Sequence, residues 1–209
     1  MSLADSGPRP CAPTRGRPRS EAVEQAILEG VMKLLEEGVS LAELSIERIA
    51  RTAGVGKATI YRRWSGKEEL FVDVMRAAEP DDPELPGTSM RDDLVVLLEA
   101  LRRRGLISRS SVILHNVHAQ MKSSPKIWAA YHASVITPRR TLGLEVLRRG
   151  QRNGELRTDV DLELINDMFV GPMLTRSVLR PDADLPEGLA EQIVDTVLEG
   201  LRPVSSTGS

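Results

Sequence analysis

Residues 45–70, SIERIARTAGVGKATIYRRWSGKEEL, constrain the fold of this chain more than any other stretch. They read as two short helices joined by a tight turn, followed by the start of a third. Ser45 is placed to cap the first helix, and Ile46, Ile49, Ala50 and Ala53 give it one apolar face. Gly54 supplies the turn, where a positive φ costs a glycine little. The second helix, about 57–64, carries Ile60 and Trp64 at helical spacing. Small residues at Ala50, Ala53 and Gly54 let the two helices cross closely. Ser65 and Glu68 have the S-x-x-E spacing of a capping box for the helix that follows. Such a pair is a helix-turn-helix, the geometry that lays its second helix in the DNA major groove.

Charge points the same way. Between residues 44 and 67 stand six cations (Arg48, Arg51, Lys57, Arg62, Arg63, Lys67) and one anion, Glu47. The whole chain carries a formal charge of −2, so its basic character is concentrated here. A local patch on a near-neutral chain implies a dedicated phosphate-facing surface.

These residues resemble the DNA-binding signature of the TetR family of transcriptional regulators. The resemblance lies in Ile49-Ala50, Ala53-Gly54-Val55, Thr59-Ile60-Tyr61, Lys67-Glu68 and Leu70, in register across three helices, with Trp64 where phenylalanine is more usual. It is strong over about residues 20–75 and weaker beyond. It implies an all-α fold, with a three-helix helix-turn-helix domain followed by a helical ligand-binding and dimerisation domain. The expected division is a disordered basic arm over 1–19, the DNA-binding domain over 20–66, the second domain over 67–203 and a disordered tail over 204–209.

The rest of the chain fits that plan. Residues 1–19 hold Pro8, Pro10, Pro13 and Pro18 and end in Arg15-Gly16-Arg17-Pro18-Arg19, an extended cationic segment similar to the core of an AT-hook. Arg15 and Arg17 are placed for the minor groove of A·T-rich DNA, with phosphate attraction or a solvated tail as the alternatives. A first helix, about 20–37, repeats apolar residues from Val23 to Leu34 and ends at Gly38. A fourth, about 66–78, stops at Pro80. Beyond residue 88 only helical periods appear, with Pro138 expected to kink or split a segment spanning about 125–153. The single cysteine, Cys11, leaves no internal disulfide. No apolar run reaches the ~18–20 residues of a membrane span, and a cytoplasmic chain with no membrane partner is expected.

At the DNA, the resemblance puts Lys57, Ala58 and Thr59 at the opening of the recognition helix. Lys57 is suited to guanine O6/N7, Thr59 to a base edge and Ala58 to a thymine methyl. Tyr61 and Lys67 match family positions that hold phosphates, Arg62 and Arg63 face bases or backbone, and Ser45 joins them at the start of the first short helix. The structural alternatives are a core role for Tyr61 and a solvated basic face for the two arginines. Glu47 must face away from the DNA or accept from a cytosine amino group.

The C-terminal half is less informative. His115, His118, Met121, Trp128, Tyr131 and His132 concentrate aromatic and hydrogen-bonding side chains, the composition of a site for an apolar or aromatic effector with polar groups. Ordinary core and surface roles remain open for each. Zinc on the three histidines lacks suitably spaced partners, so no metal and no cofactor is expected. Catalytic and nucleotide-binding motifs are absent, and the chain is not expected to be an enzyme. The last two helices are apolar more widely than one core contact needs, and the family pairs them with a second subunit. Phe169, Met173, Ile193, Val197 and Leu201 are the expected interface of a homodimer on a pseudo-palindromic operator. The expectation is a ligand-released repressor. An activator with the same DNA geometry, a ligand-binding protein or enzyme with vestigial DNA binding, and a structural DNA-binding protein are the rivals.

Overall fold

The computed structural model describes residues 17–111, 120, 124–180 and 182–201. Among them all regular structure is helical: α1 (Arg17–Glu36), α2 (Ile46–Thr52), α3 (Lys57–Tyr61), α4 (Lys67–Ala78), α5 (Met90–Ser110), α6 (Pro125–Tyr131), α7 (Thr137–Arg152), α8 (Leu162–Leu174) and α9 (Leu189–Leu201). A π-helical turn, His132–Ile136, joins α6 to α7, and a second, Thr175–Leu179, continues α8. No helix among the described residues is long and apolar enough to cross a membrane. Arg15, His115, His118, Met121 and the tail from 204 lie outside the described residues.

Two apolar cores organise the chain. In the first, Ile27, Val31 and Leu34 of α1 meet Ile49 of α2, Ile60 of α3, Trp64, and Leu70, Phe71, Val74 and Met75 of α4. Ile127, Tyr131 and Val135 also belong to it, so the helix-turn-helix does not close its core alone. The expected division at residue 66 falls inside this cluster. The second core gathers Leu94 and Leu98 of α5, Leu147 of α7, Phe169 and Met173 of α8, and Ile193 and Val194 of α9. Helix α4 gives its apolar side, recurring at i, i+1, i+4 and i+5, to the first core.

Local chemistry explains where the elements begin and bend. Helix α1 starts at Arg17, ahead of the expected Ser20, because Pro18 falls in a first turn that needs no N–H. Arg17 therefore lies in a helix and not in an extended arm. The Ser45 hydroxyl accepts from the Arg48 N–H at 3.2 Å, the expected cap of α2. At α4 the acid that answers Ser65 is Glu69, not Glu68. The Ser65 N–H and hydroxyl donate to its carboxylate at 2.7 and 2.9 Å and hold its pKa below the ordinary range. The box has moved one residue because Gly66 is the helix cap.

The segment expected to be interrupted at Pro138 divides just before it, α6 ending at Tyr131 and α7 beginning at Thr137. The turn before it widens to the π form, in which the Thr137 N–H reaches back to His132 O. The carbonyl that a residue at 138 would ordinarily engage is that of Ser134, and it accepts instead from the Arg76 guanidinium of α4.

The turn between α2 and α3 rests on Gly54 at φ +66°, and at Gly30 an added Cβ would meet Ala53 Cβ at a tight 3.2 Å. Space around Gly54 is open, and only backbone strain opposes a side chain there. Gly54→Ala is expected to lower stability by about 1–2 kcal/mol in a denaturant titration. An unchanged midpoint would show that the turn tolerates a different backbone.

Candidate nucleic-acid interface and the junction behind it

The helix-turn-helix presents one polar edge. On α3, Lys57, Ala58 and Tyr61 are exposed, Thr59 is half-buried and Ile60 is fully buried, so the helix anchors through one residue and offers the others. Tyr61 is 57% exposed, which removes the alternative of a core aromatic. Arg62 is exposed beside it, Lys67 is half-buried at the start of α4, and Arg48 and Arg51 of α2 are exposed on the same unit. Trp64 is buried in the core and its indole N–H donates to Asp73 of α4 at 2.8 Å.

Two expected DNA residues also make contacts within the unit. Arg63 does not stand free beside Arg62. Its guanidinium donates to the Ser20 carbonyl at 3.0 Å, to the Ser20 hydroxyl at 2.9 Å and to Thr59 O at 3.4 Å, tying the recognition helix to the first turns of α1. The exposed Ser45 caps α2 with its hydroxyl oxygen as acceptor. Lys57 remains exposed but lies 3.5 Å from Glu47.

Behind this edge, α4 is fastened to the second half of the chain by charge. Arg76 takes the Ser134 carbonyl. Glu79, whose side chain is only 8% exposed, accepts from Tyr131 Oη at 3.0 Å and from Arg139 Nη1 at 2.9 Å. Asp82 accepts from Arg139 Nε at 2.8 Å and pairs with Arg104 of α5. Burial, reinforced by the Glu79 charge, pushes the Tyr131 phenol well up, so it is a donor at neutral pH. Burial pulls the Arg104 guanidinium down from its ordinary value, with the Arg139 charge adding to the effect. Sequence reading missed this cluster. Arg104 carried no distinguishing signal, being the last of three consecutive arginines in α5.

The other expected residues divide. Tyr131 is buried at the junction, while Trp128 is half-buried and His132 exposed, their rings 6.2 Å apart. The expected dimer residues Phe169, Met173, Ile193 and Leu201 are at most 8% exposed and fill the chain's own second core, so they offer no surface to a partner. Only Val197 is half-buried. The apolar side chains that α8 and its π-helical extension expose are Leu164, Met168, Leu174, Val178 and Leu179.

Residues 27–74 match the family described as bacterial regulatory proteins, tetR family, and residues 86–197 match the tetracyclin repressor-like C-terminal domain. The chain belongs to the TetR family. It is similar to the uncharacterized HTH-type transcriptional regulator YdeS of Bacillus subtilis, 29% identical over 93% of this chain and 98% of that one. It is also similar to the DNA-binding transcriptional repressor TetR of Mycobacteroides abscessus, 28% identical over 88% of this chain and 94% of that one. Among solved structures, the TetR family transcription regulator SCO0332 superposes with a TM-score of 0.57 at 27% identity, covering 88% of this chain and 100% of that one. This TetR-family chain is a DNA-binding transcriptional regulator.

The two neighbouring arginines separate experimentally. Arg62→Ala is expected to reduce the salt dependence of duplex binding by about one phosphate contact per subunit. Arg63→Ala is expected to leave that slope unchanged and lower the unfolding midpoint, because it frees α3 from α1. The opposite pattern in salt-titrated anisotropy and thermal unfolding would exchange their roles.

Proposed function

We propose that the chain is a homodimeric repressor that binds a pseudo-palindromic operator when unliganded and is released by a small organic effector. It acts in the cytoplasm, where its DNA target is. The observation that carries the reading is the pairing of an exposed α3 edge with a buried charged junction that ties α4 to the C-terminal helices. An effector that prefers another arrangement of those helices shifts the population away from DNA. The relative named as a repressor supports the sign.

In this reading Lys57, Ala58 and Thr59 read base edges and Tyr61, Arg62 and Lys67 hold phosphates. Arg15, just before α1, reaches the flanking minor groove. Arg17 begins the helix that Arg63 holds against α3, which supports such a path. Trp128, Tyr131 and His132, with His115, His118 and Met121, form the effector site. The partner subunit is met through Leu164, Met168, Leu174 and Val178 with Val197, an exposed apolar face of the kind that marks an interface.

Selection of random duplex DNA by the purified protein tests this reading. A pseudo-palindrome is expected, with half-site centres about 34–36 Å apart, bound by a dimer. Lys57→Ala should weaken the winner by roughly 1–3 kcal/mol and relax one position. Binding without any enriched sequence would overturn the repressor reading. Separately, Met168→Glu should convert a sedimenting dimer to monomer without loss of helicity, whereas a persistent dimer would move the interface elsewhere.

A further inference from the structure

Within residues 44–67 the only acid is Glu47, and it stands beside Lys57 at the opening of the recognition helix. Glu47 Oε2 lies 3.5 Å from Lys57 Nζ, with the two side chains 64% and 56% exposed. A carboxylate here works against every phosphate that the surrounding cations attract, and an exposed ion pair returns little stability. Its place in the first turn of α2 suits the helix dipole, but that role does not require Lys57 as a neighbour.

The pair has the chemistry of one base pair's edge. In the major groove a G·C pair offers guanine O6 and N7 as acceptors and the cytosine N4 amino group as a donor. O6 and N4 are hydrogen-bonded to each other, so they lie about 2.9 Å apart. A donor and an acceptor 3.5 Å apart on the protein match that spacing. We infer that Glu47 and Lys57 read a single G·C pair in a fixed orientation, Lys57 donating to guanine O6/N7 and Glu47 accepting from cytosine N4. The inference rests on the operator-binding reading above.

Rejection follows from the same geometry. An inverted C·G pair sets the cytosine amino group against the ammonium and the guanine acceptors against the carboxylate. Thymine leaves Lys57 one acceptor, with the C5 methyl where guanine has N7. On non-matching DNA the two side chains stay paired with each other, and the carboxylate weakens binding to the backbone. Glu47 thus contributes to discrimination by repelling wrong partners.

Glu47→Gln is the test, because glutamine keeps the shape and can donate as well as accept. The selected operator, its variants with each base pair inverted, and an unrelated duplex are titrated by anisotropy with both proteins. The wild type is expected to prefer one orientation of a particular G·C pair by about tenfold or more, and Glu47→Gln to reduce this to about threefold at that position alone. Binding of Glu47→Gln to the unrelated duplex should rise by about two- to fivefold. Lys57→Ala should lose orientation preference at the same position. A Glu47→Gln protein with an unaltered inversion profile, or with an even loss at every position, would overturn the inference and leave Glu47 a helix-dipole residue. A wild type that enriches no sequence at all would overturn the repressor reading beneath it.

Discussion

A proline inside a helix leaves one carbonyl without its donor, and in this chain Pro138 leaves that of Ser134 for Arg76 to take. The rest of the junction depends on this exchange. Arg76 stands on α4 between Asp73 and Glu79, three residues from each, so one stripe of α4 is polar while its other side is core. Asp73 holds the Trp64 indole at the end of the helix-turn-helix, and Glu79 holds Tyr131 and Arg139. A continuous set of polar contacts therefore runs from the recognition unit to the α6–α7 segment. The carbonyl that this path needs is the one Pro138 leaves without a donor.

The helix-turn-helix was legible because its signals are local. A cap at Ser45, a left-handed glycine at 54 and apolar spacing in two short helices each depend on neighbours within four residues. Arg62 and Arg63 were not separable, because adjacent residues of the same type differ only in which way a helical turn aims them, and Ser20 is 43 positions away. The same limit governs Ser65, whose partner proved to be Glu69 once Gly66 took the cap.

Periodicity names the apolar residues of a helix but not which side of a wide stripe is covered. On α8 it offered Phe169 and Met173 as readily as Leu164 and Met168. Packing against α5, α7 and α9 put the first two inside and left the second two at the surface. Aromatic content likewise gave no sign that the Tyr131 ring joins the first core while its hydroxyl serves Glu79. Long-range charge pairs such as Arg139 with Glu79 have no short-range signature, since they depend on which helix ends meet.

Magnitudes limit how a signal can cross this junction. Removing one partner from a buried ion pair costs about 3–5 kcal/mol. Couplings between an effector and a second ligand are about 1–3 kcal/mol. Glu79, buried beside Arg139 and Arg104, lies in the first class. An effector that worked by pulling Glu79 from its arginines would spend more than such a coupling provides. Motion that keeps the Glu79 cluster closed, and carries α4 with the α6–α7 segment as one body, spends far less.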